Sequence, residues 1–508
     1  MVAITRIEPE LLMDRLDGRY NNPNAVQIRR EIVKSGLPTK RVCDILDLAC
    51  GPFGSTLTAD QHMPDGEVLL VQPTNISEDQ FTTKSSWRIS KEILDKKGLK
   101  TYKPGTLLFA RVGVYPHIGV LPNGAGLATI SSSMIAGVPE DETDTRYLSA
   151  FFKCRFGFLL LLAAQKVTAQ PTIGTSEIGV TEVAYPNTLA QKYIGDKVRQ
   201  AEKLWAWSKI IRKEIDYLAS NGTIYAATLT TNDKHNLPKL SDLTDRLDPK
   251  YYDKRGVAVQ RAARSLGDSL SRLVLNITNG FEERNFVDDG IKYITVSEVS
   301  SGRLDVSKAP KISADIDVPD KAKINEKCVL VVRTGSVGSA AKADFRDCGA
   351  AISSDFVRIE FEDEATAAAV AVFLNSSAGK ILQHKISYGA VQPHIGHEEL
   401  LALPIPNYVL DLKDHFLALT HGFEDAFRAS QALSIAARQL VEALIERQIT
   451  EAQLIEAENA LEKGDDSLDR AILSRLKTDG MDGKGDPLFP YIDRLYELLE
   501  QATQESEE

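Results

Sequence analysis

Cysteine is scarce. The chain of 508 residues has five, Cys43, Cys50, Cys154, Cys328 and Cys348, an odd number with no Cys-x-x-Cys pair. That excludes a disulfide scaffold and a cysteine-held zinc cluster, and points to reduced thiols in the cytoplasm. The eight histidines show neither His-Glu-x-x-His nor His-x3-His spacing, so no metal site is expected. Long apolar runs are missing too. The longest, Ala150 to Ala164, is broken by Lys153 and Arg155 and falls short of the roughly 20 residues a membrane-spanning helix needs. It reads as a buried helix, and no membrane partner is expected. No cationic, hydrophobic leader precedes Asp14, so nothing marks the chain for secretion. Neither an Asn/Asp-Pro-Pro-aromatic motif nor an Asp...Glu-x-Lys nuclease core is present, so catalysis is not visible.

What is present is ordinary for a globular protein, with 43 % hydrophobic and 26 % charged residues, which excludes a disordered chain. The length implies roughly three or four folding units at about 100 to 200 residues each. The formal net charge of -11 argues at first against a polyanion partner, but it is unevenly placed. From Glu442 onward the chain carries 18 acidic and 7 basic residues, which accounts for the whole excess and leaves positions 1 to 441 neutral. Within that neutral part Lys192, Lys197, Arg199, Lys203, Lys209, Arg212 and Lys213 outnumber Asp196, Glu202 and Glu214 along one predicted helix. Such a stripe can bind phosphate whatever the total charge.

The chain is written twice. Arg15-Leu16-Asp17-Gly18-Arg19-Tyr20 recurs as Arg246-Leu247-Asp248-Pro249-Lys250-Tyr251. The segment from Thr106 to Gly113 recurs from Cys328 to Gly335, Ile130-Ser131-Ser132 as Ile352-Ser353-Ser354, and Gln170-Pro171-Thr172-Ile173-Gly174 as Gln392-Pro393-His394-Ile395-Gly396. The last three matches share one offset, 222 residues, a register chance does not keep over about 60 positions. Each copy has an entry helix, then β-rich segments (Val68 to Gln72, Thr106 to Arg111, Ile291 to Val296, Cys328 to Arg333), then one helix (Thr145 to Lys166; Glu364 to Gln383) and the Gln-Pro loop. Pro186, or Pro404 and Pro406, ends the domain.

A long helical pattern follows each copy, Leu189 to Ala219 and Leu410 to Leu461. In the second, Leu419, Phe423, Ala426, Ser430, Leu433, Ala437, Leu440 and Leu444 keep steps of 4 and 3, a coiled-coil seam. In the first, Ile194, Val198, Ala201, Trp205, Ser208, Ile211, Ile215 and Leu218 give a comparable stripe. Each stripe needs an apolar partner and finds one in the other. The expected fold is therefore mixed α/β (α+β): two similar heads joined by two long antiparallel coiled-coil helices about a pseudo-two-fold axis. At about 30 residues and 1.5 Å rise the rod is on the order of 45 Å long. The expected boundaries are 15–186 for the first head, 187–220 for the first long helix, 221–245 for a linker, 246–406 for the second head, 407–463 for the second long helix and 464–508 for an acidic extension. In that extension Leu488 to Leu499 reads as an amphipathic helix entered through Pro490, serving as a cap or a partner dock.

At these residues the pattern resembles the specificity (S) subunit of type I restriction-modification enzymes. Gly51-Pro52-Phe53-Gly54-Ser55-Thr56-Leu57 is similar to the opening loop of that family's target-recognition domain. Val332-Arg333-Thr334-Gly335-Ser336-Val337-Gly338 is similar to its strand-turn signature, and Ala390-Val391-Gln392-Pro393-His394-Ile395 with Leu403-Pro404-Ile405-Pro406 to its closing loop. The first copy departs from it, reading Val112-Gly113-Val114-Tyr115-Pro116-His117-Ile118-Gly119 after Arg111. The likeness covers residues 15 to 460. It implies two target-recognition domains on double-stranded DNA, each reading half of a split site whose gap the long helices set. It also implies two docked methyltransferase subunits, optional restriction subunits, and S-adenosylmethionine held by the methyltransferase and not by this chain.

Arg111 and Arg333 end matching strands and could fork onto a guanine edge or a phosphate, or tie the sheet to a neighbouring carbonyl. Gln170 with Thr172, and Ser336, Gln392 and His394, are candidate base or phosphate contacts in turns and loops. Lys84, Arg88 and Lys91 in the first head, and Arg303, Lys308 and Lys311 in the second, are candidate phosphate contacts. Two motifs resemble nucleotide sites. Asp47-Leu48-Ala49-Cys50-Gly51-Pro52-Phe53-Gly54 is similar to the cofactor loop of S-adenosylmethionine methyltransferases, the alternative assignment, but no catalytic motif follows it. Gly335 to Lys342 lacks the lysine spacing of a phosphate loop and reads as a tight turn. A tandem scaffold without a nucleic-acid role is the third class. As a non-catalytic subunit, the purified chain mixed with duplex DNA and labelled S-adenosylmethionine is expected to transfer no methyl group; transfer would favour the methyltransferase alternative.

Overall fold

The computed structural model describes residues 7, 17–77, 80–83, 86–166, 170–232, 236–246, 248–300, 302–389 and 392–507. Arg15, Leu16, Lys84, Leu247, Ala390 and Val391 lie outside them. The chain divides into two compact units, Met1–Trp207 with Asp425–Glu508, and Ser208–Glu424.

In the first unit the helix Pro23–Ser35 starts where the Asn22 side chain accepts from the Ala25 amide (3.1 Å) and Pro23 takes the first helical position. An antiparallel sheet follows, ordered Leu46–Cys50, Met134–Pro139, Leu107–Ala110, Ile118–Val120. Leu107, Leu108, Phe109 and Ala110 are all buried, which explains an unbroken apolar strand. A second sheet pairs Val68–Val71 antiparallel with Arg88–Ile89 and parallel with Ala128–Ile130. Thr39–Arg41 and Glu182–Ala184 close the head as a short ladder.

The second unit repeats this order. Its antiparallel sheet runs Val274–Asn279, Phe356–Phe361, Cys328–Val332, Ala340–Lys342. Ile291–Ile294 lies parallel to Ala351–Ile352, and Gly267–Ser269 pairs with Pro404–Pro406. The duplication is thus one of topology in the four-stranded sheet, the parallel pair and the closing ladder, while the second unit adds Phe286–Val287 to its other sheet and a separate Val299–Ser300/Arg303–Leu304 ladder.

The single helix expected after each sheet is two. Thr145–Lys153 and Arg155–Ala164 meet at 79°, and Glu364–Asn375 and Ser377–Ile386 at 78°. Cys154 and Ser376 turn extended at the breaks. Gly157 and Gly379 let each second helix press on the first, since a Cβ there would stand 2.2 and 2.1 Å from the carbonyls of Phe151 and Phe373. No helix among the described residues is long and apolar enough to cross a membrane.

Two long helices, Thr188–Leu218 and Lys413–Ile445, contribute residues to both units. Within the first, the Trp205 and Phe427 rings meet edge-on at 5.3 Å and Ser430 Oγ donates to the Ala201 carbonyl (2.7 Å). Within the second, Ile211 Cδ1 lies 3.7 Å from where a Cβ on Gly422 would stand, and His415 Nε2 is 3.7 Å from Glu214 Oε1. In each unit the helices therefore run antiparallel along the predicted stripes. Ala201, Ile211, Ile215, Leu433, Ala437, Leu440 and Leu444 are buried, while Val198, Trp205, Leu419 and Phe423 are partly buried.

Three expectations need correction. The linker 221–245 contains a helix, Gly222–Thr228, because Ile224 belongs to the core of the second unit. The second long helix ends at Ile445, with Arg447 at φ +63°, and a new helix, Glu451–Leu461, is capped by Thr450. The basic stripe is not open to phosphate where it lies in the first unit. Lys192 pairs with Glu458 and Glu462, Arg199 with Asp144 (2.5 Å) and Asp196 (2.7 Å), and Lys203 donates to Thr503 (2.5 Å).

Lys197 pairs with Asp469 at 2.7 Å, their side chains 0 % and 2 % exposed. Asp469 also accepts from the Tyr193 and Tyr496 hydroxyls at 2.6 Å each. Burial pushes the Asp469 carboxyl up, but the Lys197 ammonium and the two tyrosine hydroxyls outweigh it and hold it below the ordinary carboxylate value. The extension, whose helices are Ser467–Ser474 and Ile492–Glu507, is thereby a packed part of this unit. Asp469→Asn leaves the Lys197 ammonium buried without its counter-charge. It is expected to lower the unit's stability by about 3–5 kcal/mol, read as an earlier urea transition, while Lys197→Met with Asp469→Leu recovers most of the loss. Because the folded pKa is depressed, the pair's contribution is present above the unfolded value near 3.8 and is lost as pH falls through the folded one.

Candidate nucleic-acid interface

In both heads a buried strand ends in arginine, and the Gln-Pro loop closes over the turn that follows. In the first, the Arg111 amide donates to the Ser133 carbonyl (2.8 Å), the Ile173 amide to the Arg111 carbonyl (2.9 Å), and the Gly113 amide to the Pro171 carbonyl (3.1 Å). In the second, Arg333 donates to Asp355 (2.8 Å), Ile395 to Arg333 (2.9 Å) and Gly335 to Pro393 (3.1 Å). Gly113 and Gly335 both have positive φ, which a side chain would strain. Thr172 exchanges backbone hydrogen bonds with Lys166, and His394 with Tyr388. The sequence-named Arg111, Gln170 and Thr172 are thus brought together in one head, and Arg333, Ser336, Gln392 and His394 in the other.

The backbone of each arginine is fully engaged and its guanidinium is not. No hydrogen bond or ion pair holds the Arg111 side chain among the described residues, and Arg333 Nε is buried with no partner. Burial, then the Arg333 charge, lowers the pKa of His397, whose Nε2 contacts Asn279 Oδ1 at 2.8 Å. Gln170, Ser336 and Gln392 are exposed. Thr172 and His394 are partly buried, with His394 Nδ1 3.3 Å from Thr334 Oγ1.

The phosphate candidates fare differently. Arg303 grips Glu424 with two bonds (2.8 and 3.1 Å) and Asp305 with a third (3.1 Å), and is only 10 % exposed; it anchors its own head, which corrects the expectation. Arg88 is likewise corrected, its guanidinium donating to the Gly66 and Glu67 carbonyls. Lys311 pairs with Asp289 (3.1 Å), whereas Lys91 and Lys308 are exposed and Lys84 lies outside the described residues.

Each head also has a cavity beside the glycine that follows its first sheet strand. One of about 230 Å³ is lined by Pro52, Leu57, His62, Gln72, Ser131 and Ser132; another of about 440 Å³ is lined by Thr278, Asn279, Phe281, Pro319 and Lys321. In the first, the carboxyl ends of the parallel strands Val68–Val71 and Ala128–Ile130 supply Gln72 and Ser131, the place where open sheets bind ligands. The hydroxyls of Ser131 and its counterpart Ser353 are buried without partners. His62, Gln72, Asn279 and Lys321 were not legible because Gly51 and Gly280 correspond at an offset of 229, outside the 222-residue register.

The methyltransferase alternative fails on the same geometry. Leu46–Cys50 is an antiparallel edge strand, and the chain after it enters an irregular loop with no helix to receive a cofactor. Gly335–Gly338 is a turn into the strand Ala340–Lys342, as expected.

No family model matches this chain, and no curated protein matches it. Solved structures do. The chain is similar to the S subunit of a type I restriction-modification system from M. genitalium, at 13 % identity over 80 % of this chain and 95 % of that one, TM-score 0.46. It is similar to the HsdS subunit from Thermoanaerobacter tengcongensis, at 12 % identity over 82 % and 97 %, TM-score 0.26. A chain from a structural account of complex assembly and conformational transition of the type I R-M system matches at 13 % identity over 81 % and 98 %, TM-score 0.28.

A Cβ on Gly51 would lie 1.9 Å from the Ser131 carbonyl oxygen, and one on Gly280 2.2 Å from that of Ile352. Gly51→Ala or Gly280→Ala is therefore expected to force each loop off its neighbouring strand and cost about 1–3 kcal/mol, measured by chemical denaturation.

Proposed function

We propose that this chain is the non-catalytic DNA-recognition subunit of a type I restriction-modification assembly, each head reading one half of a bipartite site. One observation carries the reading: the same backbone frame occurs twice, each time with a strand-end arginine whose guanidinium has no hydrogen bond or ion pair among the described residues. A guanidinium fork fits the O6 and N7 of guanine or a phosphate. Different side chains on the shared frame, Gln170 and Thr172 against Ser336, Gln392 and His394, suit two unlike half-sites.

In this reading the two long helices act as the spacer and carry two methyltransferase subunits, with restriction subunits as an option. The methyltransferase supplies S-adenosylmethionine and flips the target adenine, and this chain chooses the address. Residues 1–441 carry no net charge, so phosphate contacts give modest affinity and the partner's own basic surface completes it.

Exchange of one head, residues 20–186 or 251–406, for that of a related chain tests the proposal. With the methyltransferase partner present, one half of the selected DNA sequence is expected to change while the other half and the gap persist. Absence of sequence-selective binding by the complete assembly would leave the tandem scaffold as the better description.

A further inference from the structure

Of the cations named from sequence, Arg88 and Lys311 are held within their own heads and Arg303 by Glu424 of the second long helix. A different group gathers at the second head's turn. His384, on the helix Ser377–Ile386, sets its Nε2 against the Gly335–Gly338 turn, 2.9 Å from where a Cβ on Gly338 would stand. Lys380, one helical turn earlier, is exposed. Lys250, also exposed, approaches from the 249–252 turn and donates to Ser387 Oγ at 2.9 Å. Burial, then the charges of Lys250 and Lys380, hold the His384 imidazole below the ordinary histidine value, so both lysines reach it electrostatically. Like charges converging on one ring repel one another, and an anion placed among them relieves that repulsion.

The corresponding place in the first head has the opposite character. At the 222-residue offset Phe158 replaces Lys380 and Leu162 replaces His384, and in the recurring entry motif Arg19 replaces Lys250. Tyr115, 61 % exposed, stacks on Phe158 with ring centroids 6.3 Å apart and planes at 21°, and Val114 beside it is 63 % exposed. Arg19 keeps the contact equivalent to that of Lys250, donating to Gln165 Oε1 (3.4 Å) at the position of Ser387 and to the Leu162 carbonyl (3.3 Å), so the heads differ at Phe158 and Leu162 and share the entry-motif cation.

We propose that Lys250, Lys380 and His384 form a phosphodiester-binding corner of the second head which the first head lacks, an aromatic surface standing in its place. The ligand is the backbone of duplex DNA, so the corner rests on the DNA-recognition reading. It makes the two heads unequal: the second contributes more of the salt-dependent affinity, and the first relies on contacts that salt does not screen.

The test measures affinity of the full chain, assembled with its methyltransferase partner, for a fluorescent duplex of random sequence and for one bearing the recognised site, between 50 and 200 mM salt. Lys250→Ala with Lys380→Ala is expected to make the log–log salt slope shallower by about 2, at about 0.9 per lost phosphate contact, with the preference for the recognised site unchanged. Lys463→Ala, an exposed lysine just past the helix Glu451–Leu461 and outside both heads, serves as the control and leaves the slope unchanged. An unchanged slope in the double variant, with the unaltered assembly still sequence-selective, overturns the corner and leaves the DNA reading standing. Failure of the unaltered assembly to bind any duplex overturns both. Inorganic phosphate that binds at constant ionic strength through these lysines, with the duplex slope unmoved, also overturns the corner as a duplex contact.

Discussion

The backbone hydrogen bonds that clamp each Gln-Pro loop over the turn after a strand-end arginine are the constraint on which the rest depends. Amides and carbonyls do the holding, from Arg111 to Ser133 and Ile173 and from Arg333 to Asp355 and Ile395. A frame closed by main-chain groups tolerates different side chains at its rim, which a recognition surface must vary. It also fixes the backbone of each arginine at the end of a buried strand and leaves its guanidinium without a hydrogen bond or ion pair among the described residues.

Charge is divided accordingly. The acidic C-terminal segment lies against the first long helix, where Glu458, Glu462 and Asp469 answer Lys192 and Lys197. Most of the basic stripe in the first unit is thereby consumed internally. Among the described residues exposed cations remain on the heads, Lys91 and Lys380 among them, and on the first long helix at Lys213. The buried cluster of Lys197, Asp469, Tyr193 and Tyr496 makes the extension a structural member, because an unpaired charge there would be far costlier than an exposed one.

Much of this was legible in the sequence. The 222-residue register identified the duplicated sheet strands, the helical stripes located the first long helix to within a residue and the start of the second to within three but ran past its end at Ile445, and the Gln-Pro loops were picked out with the arginines they contact. The kinks at Cys154 and Ser376 were not, since apolar periodicity continues across them and only the close approach allowed by Gly157 and Gly379 makes the bend. Arg303 and Arg88 were misassigned because composition shows a charge but not the Glu424 carboxylate or the Gly66 carbonyl that meets it. The cavities beside Gly51 and Gly280 stayed hidden because the copies slip out of register there. The cationic corner at His384 joins a turn, a helix and an entry loop, and no local window spans all three.

The central claim is that Arg111 and Arg333 each read one half-site from the same frame. Its most direct measurement is a selection from randomised duplexes by the assembled complex carrying Arg111→Ala or Arg333→Ala. The account predicts that each variant relaxes discrimination in one half of the sequence by about 1–3 kcal/mol, a different half for each, with the other half and the gap retained. Uniform weakening across both halves, or an unaltered sequence preference in either variant, would contradict it.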